Sequence, residues 1–275
     1  MTMEQPDQVK SIQKTNRKGK KVVRQFPVKK TDGIMQAQMS VQSIIPAQTK
    51  DLVDHQHIAH YNEKLLKWIN TLSSFVNREA NVYALGSILP TVTWGSYEPF
   101  QDHRCQLCNP LTNIPIVVWM VGHIRSMWFL KQGKPEKQAA VTVIPLSHSL
   151  AAQTTRLLGG LANPSTYNPM NAVRAIKWQN SKASDDLELF GEVFDAHDIL
   201  TNKAEMPPYP VEELKKNDLV LLESKIICYK LKDANNNWTI HHVQMEMLTI
   251  SLLYCADLEE SADKETSCDI RDLQI

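Results

Sequence analysis

IVVWMVGHIRSMWFL, residues 116–130, is followed by the polar run KQGKPEK (131–137) and then by AAVTVI (139–144). The first and last of these are rich in β-branched and aromatic residues, which fit a pleated, half-buried surface, so each predicts a strand. A polar link containing Gly and Pro between two such runs predicts a β-hairpin. The first run is long for one strand, and Gly122 within it is the expected bulge or bend point. Trp128 and Phe129 are neighbours, and neighbours on a strand face opposite sides, so one ring is expected inside and the other at the surface.

Downstream of the hairpin, residues 147–185 carry Gly159-Gly160, Pro164 and Pro169. They read as an irregular insertion with a short strand near Val173–Trp178. Leu187–Phe194 alternates, Pro207–Lys216 reads as a turn into a short helix with Pro210 in its first turn, and Leu219–Leu231 is a strongly β-like run. Asp233–Asn237 is turn chemistry, and Trp238–Tyr254 supplies a last strand. Upstream, Ile58, Tyr61, Leu65, Trp68, Ile69, Leu72 and Val76 fall at three-and-four spacing. That period predicts an amphipathic helix over residues 51–76. The expected organisation is a disordered basic arm (1–50), a globular body (51–254) that includes a barrel-like β region (112–254), and an acidic tail (255–275). No internal repeat interrupts it.

The formal net charge of zero conceals an asymmetry. Nine Lys/Arg against Glu4 and Asp7 make residues 1–30 strongly positive, whereas residues 255–275 hold seven acids against Lys264 and Arg271. The body between is slightly acidic, so attraction to a polyanion must come from the arm or from a local patch. The cluster Arg17, Lys18, Lys20, Lys21 and Arg24 reads either as a nuclear-localisation or polyanion-binding segment, or as a solvated tail. Composition is ordinary for a globular protein, at 43% hydrophobic and 22% charged residues, which excludes wholesale disorder. No apolar leader follows the first methionine, and no apolar run approaches the roughly 20 residues that a membrane helix needs. A soluble, intracellular protein with reduced thiols and no membrane partner is therefore expected.

His103-Arg104-Cys105-Gln106-Leu107-Cys108 is the most specific local motif. Cys105 and Cys108 have the spacing to bite a tetrahedral zinc, and His103 can add a third ligand. A closed structural site needs a fourth, which would have to come from far along the chain, for example Cys228 or one of the early histidines. Without it these are ordinary loop cysteines and the protein carries no cofactor. Cys-x-x-Cys as a redox pair wants a βαβ context that this chain lacks. His55, His57 and His60 scatter around the helix period. Ser147-His148 sits in no nucleophile motif, and Gly159-Gly160 lacks the Lys-Ser/Thr of a phosphate loop. An enzyme is not expected.

The β region interleaves Trp119, Trp128, Phe129, Trp178, Phe194, Tyr229 and Trp238 with Arg125, Lys131, Lys134, Lys137, Arg174, Lys177 and Lys230. Exposed rings beside cations suit single strands, because unpaired bases stack on rings while Lys and Arg follow the phosphates. Most of these rings would serve the core in any β-rich protein.

The order of the pieces resembles an OB-fold of the replication protein A kind. Ile116–Leu130 resembles the first strand, Ala139–Ile144 the second and Leu187–Ala196 the third. Tyr209–Lys230 resembles the passage from a short helix into the fourth strand, and Trp238–Leu253 the closing one. The resemblance covers residues 112–254 and implies an α+β, mostly β fold: an OB-like five-stranded barrel behind an amphipathic helix, with disordered termini. It also implies oligonucleotide binding across the second and third strands, which places Lys131, Lys134, Lys137 and Phe194, with Arg125 and Trp128, beside the ligand. Two expectations follow. One is a non-enzymatic binder of single-stranded DNA or RNA; the other is a scaffold whose body docks protein partners.

Overall fold

A computed structural model describes residues 53–54, 58, 61–165, 171–180 and 186–256. The expectations for the basic arm and for the tail beyond Ala256 lie outside the described residues.

In chain order the elements are helix α1 (Glu63–Ser73), then strands β1 (Val76–Asn77), β2 (Val82–Ala84), β3 (Thr93–Trp94), β4 (Tyr97–Glu98), β5 (Gln101–Asp102) and β6 (Leu107–Cys108). The hairpin β7 (Val117–Lys131) and β8 (Lys134–Pro145) follows, then helix α2 (His148–Leu161), β9 (Val173–Trp178), β10 (Val193–Asp195), β11 (Leu219–Leu231) and β12 (Ile240–Tyr254). Among the described residues the fold is mostly β with two α-helices. One mixed sheet runs β1-β2-β7-β11-β12-β9-β8, and β8 pairs back onto β7. Five strands thus form a closed hydrogen-bonded ring, β7-β8-β9-β12-β11. Every junction in it is antiparallel except β9–β12, which is parallel.

Alternation builds the core inside this ring. Met120, Val141, Ala175, Leu222 and Met247, one from each strand, are essentially sealed and belong to a single apolar cluster. A second cluster lies on the opposite face of the same strands. There Leu65, Ile69 and Leu72 of α1 cover Val121, Leu219 and Leu221. The first half of β11 is therefore buried on both faces, which is why Leu219–Leu222 is continuously apolar rather than alternating.

The hairpin forms where expected, with a two-residue turn. Gln132 (φ 53°) and Gly133 (φ 76°) both take positive φ, the backbone of the turn that matches strand twist, so β8 already begins at Lys134. Gly122 plays a different part from the expected bulge. The register shifts fall at Ile124/Ser126 and Trp128/Leu130. Gly122 instead marks where β7 changes partners, lying opposite both Val220 of β11 and Pro145 of β8. A Cβ there would sit 2.2 Å from the Ile144 carbonyl oxygen, so close approach of backbones is what requires glycine.

Four further expectations are corrected. Helix α1 starts at Glu63, because the Asn62 side chain caps it by accepting from Leu65 N–H at 2.9 Å, and it ends at Ser73, short of the expected Val76; most of the expected span before Asn62 lies outside the described residues. The stretch read as an insertion contains a regular helix. Ser147 caps α2 by accepting from Leu150 N–H at 3.2 Å, and Leu150, Ala151, Thr154 and Leu157 face inward. Gly159-Gly160 sits in its last turn and does not interrupt it. Finally, the third strand of the ring is Val173–Trp178, which fills the gap between β8 and β12. Leu187–Ala196 contributes only Val193–Asp195, which pairs with β12 outside the ring. The expected short helix near Pro210 is a 3₁₀ turn, Val211–Glu213.

Candidate nucleic-acid interface

The outward face of β7, β8 and β9 gathers a cluster of rings and cations. Phe129 points inward, 4% exposed and stacked on Phe190, so its neighbour Trp128 points out and is 59% exposed. Across the ladder Trp128 faces Ala140, and on the far side of β8 Gln138 faces Trp178, which is 58% exposed. The two tryptophans thus flank β8 diagonally. Between the outer strands β8 offers only the small Ala140 and Thr142. With Ser126 and Met127 these floor a hollow of about 210 Å³ walled by Trp128 and Arg174. A flat apolar wall, a cation opposite and a floor of small side chains can accept a planar ring whose backbone is anionic.

The hairpin tip adds charge. Lys131 and Lys134 lie directly opposite one another and both are exposed. Like charges in that position repel, and an anion between them relieves the repulsion. Lys137 is exposed on β8, and Arg125 is exposed at the β7 register shift. Lys177 is committed to Glu246 at 2.9 Å.

The same outward face continues round the ring. Glu246 of β12 lies beside Ile176 of β9, two residues from Arg174, and His242 follows on that face of β12. His242 pairs with Tyr229, and the rings stack at 5.4 Å. Beyond them, at the β11–β12 turn, Lys232 covers Trp238 at 5.3 Å, and Trp238 is 61% exposed. Nearby, burial and then the Lys230 charge hold the His241 imidazole below its usual range. His241 is therefore a neutral donor or acceptor near neutral pH, not a cation.

Of the residues expected at the site, Trp128, Lys131, Lys134, Lys137 and Arg125 lie on or next to the hairpin. Phe194 does not join them. From β10 it pairs with Ser251 of β12, and it packs against the α1 cluster. Trp178 and Arg174 belong to the interleaved rings and cations of the sequence but are not among the residues expected beside the ligand, because Val173–Trp178 reads there as part of an insertion; the alternation of Val173, Ala175 and Lys177 with Arg174, Ile176 and Trp178 is the available signal. Lys232 and His242 carry no signal in isolation, since they meet their rings only across the β11–β12 pairing. Arg17, Lys18, Lys20, Lys21 and Arg24 lie outside the described residues.

The candidate metal ligands do not converge. His103 Nε2 bonds the Gln101 side chain at 3.1 Å, and the buried Cys108 thiol is turned onto the Gln106 carbonyl at 3.4 Å. Cys105 is exposed, and its backbone lies against Cys228. Burial pushes the Cys108 thiol up to about 11. Among the described residues no group of three or more His, Cys, Asp or Glu side chains is placed to hold a metal ion. Beside this segment Arg104 grips Asp102 and holds its carboxyl down to about 2.

No protein-family model and no curated protein sequence matches the chain. Among solved structures, gp2.5, a single-stranded DNA-binding protein encoded by bacteriophage T7, aligns over 51% of this chain and 93% of its own, at 9% identity and a TM-score of 0.29. Among the described residues no helix is long and apolar enough to cross a membrane.

Proposed function

We propose that this protein is a non-enzymatic, intracellular binder of single-stranded DNA or RNA, and that its five-stranded ring is an OB-like barrel which reads the strand on the outward face of β7–β8–β9. The observation that carries this is the pairing of Trp128 with Arg174 across the small Ala140 and Thr142 of β8. Rings standing more than half in water offer faces to unpaired bases; in a duplex those faces are already stacked, so the chemistry favours single strands. The ring order supports the barrel assignment, because its last strand closes between the third and the fourth in a Greek-key manner. Lys131 and Lys134 supply phosphate contacts, and the basic cluster Arg17–Arg24 adds salt-sensitive affinity.

Fluorescence anisotropy with a labelled oligonucleotide, at two salt concentrations and with and without residues 1–50, tests the proposal. Submicromolar binding that survives removal of the arm is expected. Binding that disappears with the arm would reduce the interaction to tail electrostatics.

A second reading, a protein-docking scaffold, is favoured by one observation. On the segment between β3 and β7, Tyr97, Phe100 and Leu111 are all strongly exposed, and Phe100 at the tip of the β4–β5 hairpin is fully so. Exposed apolar side chains gathered on one segment mark contact surfaces.

A further inference from the structure

The segment carrying Cys105 lies against the end of β11. Gln106 bridges Ile227 in antiparallel fashion, and Cys228 N–H donates to the Cys105 carbonyl at 2.9 Å. Cys105 and Cys228 are therefore directly opposed beside this isolated bridge, a hydrogen-bonded position that sets Cα atoms about 5.5 Å apart. That is the separation most often spanned by a disulfide. Their environments differ: Cys105 is exposed, whereas Cys228 is 8% exposed. Burial, followed by the neighbouring Cys105 thiol, pushes the Cys228 thiol up to about 12. The other half of the Cys-x-x-Cys motif is not so placed. Cys108 sits on β6 with its sulfur against Gln106 and close beside Gly95.

We propose that Cys105 and Cys228 form a cross-strand disulfide when a small-molecule disulfide reaches the exposed Cys105. The Cys105 thiolate attacks one sulfur of oxidised glutathione and expels one glutathione thiolate, which takes up a proton. The Cys228 sulfur, giving its proton to solvent, then attacks the Cys105 sulfur and expels the second glutathione. Two protein thiols are oxidised by two electrons, and one glutathione disulfide is reduced to two thiols. The bond ties the segment between β3 and β6 to β11 beside the Tyr229–His242 stack. The inference goes beyond the nucleic-acid proposal and does not depend on it.

The test is incubation of the full chain with oxidised glutathione, quenching with N-ethylmaleimide, and mass spectrometry of the intact protein and its tryptic peptides. Against a reduced control alkylated in the same way under denaturing conditions, the expected result is two fewer N-ethylmaleimide adducts on the intact chain, with two hydrogen atoms lost. It comes with a peptide spanning 105–125 joined to one spanning 226–230, and fragment ions that place the bond on Cys105. Cys105→Ser, a change at an exposed position, should keep the circular dichroism spectrum and lose the joined peptide. A glutathione adduct that persists on Cys105, a Cys105–Cys108 bond, or covalent dimers in place of the internal link would each overturn the proposal.

Discussion

Trp128 and Phe129 are adjacent in sequence and opposite in environment, so removing each ring should damage a different property. Stacking of one base on an aromatic ring contributes about 1–3 kcal/mol. Trp128→Ala should therefore weaken oligonucleotide binding by roughly 5- to 150-fold, at tenfold per about 1.4 kcal/mol. Trp128 is 59% exposed; the surface it does cover, about 100 Å² at about 25 cal/mol/Å², bounds the loss of folding stability at about 2.5 kcal/mol. The inward Phe129 stacks on Phe190 at 5.8 Å within the sealed core. Phe129→Ala should cost about 3–5 kcal/mol of stability while leaving affinity close to the parent value in whatever fraction remains folded. Trp178→Ala, on the other flank of β8, should repeat the Trp128 result. Anisotropy titrations and urea melts on the same three preparations separate the two effects. If Trp128→Ala and Trp178→Ala both bind within about twofold of the parent protein while melting as folded proteins, the outward face of β7–β9 is not where bases stack.

Four other perturbations have defined outcomes. Replacing Lys131 and Lys134 together by Gln removes two phosphate contacts, so the slope of log K against log salt should flatten by about 1.4 on a single strand; the melting point should hold or rise slightly because the two charges oppose one another. Gly122→Ala drives a methyl into the Ile144 carbonyl where both ladders hold the backbone, and calorimetry should show a loss at or above the upper end of the roughly 1–3 kcal/mol typical of overpacking. Ser147→Ala strips the cap from α2 at a fully buried position and should cost about 1 kcal/mol in a urea melt. Under native, reducing conditions near pH 8, iodoacetamide should modify Cys105 well before Cys228. Burial disfavours the charged thiolate and holds Cys228 up at about 12, so its labelling should appear only when pH is raised far or the chain is unfolded; equal labelling rates, read by mass spectrometry, would contradict the burial assigned to it.

The strands of the ring differ in how plainly they were written. β7, β8, β11 and β12 stand out because each carries a local period or a long apolar run that would be costly to leave in water. β9 is only six residues long, and its role depends on a slot between β8 and β12 that exists only once both are in place. Leu187–Phe194 shows the converse: its alternation is real, yet only Val193–Asp195 finds a ladder on β12. Helix α2 was hidden by Gly159-Gly160, since paired glycines weaken a helix but are tolerated in a last turn when Leu150, Leu157 and a capped start hold the rest.

Residue order alone determined that this chain builds a β-rich body around a long hairpin, and that only one of Trp128 and Phe129 could be inside. Both follow from alternation, a property of neighbours along one strand. Which rings share a surface was decided by the tertiary structure. Trp128 and Arg174 are 46 positions apart in sequence and meet only because β8 pairs with β7 on one side and β9 on the other. Cys105 likewise faces Cys228 only because Gln106 bridges Ile227. Hydrogen bonds between distant segments set those registers, and no local period encodes them.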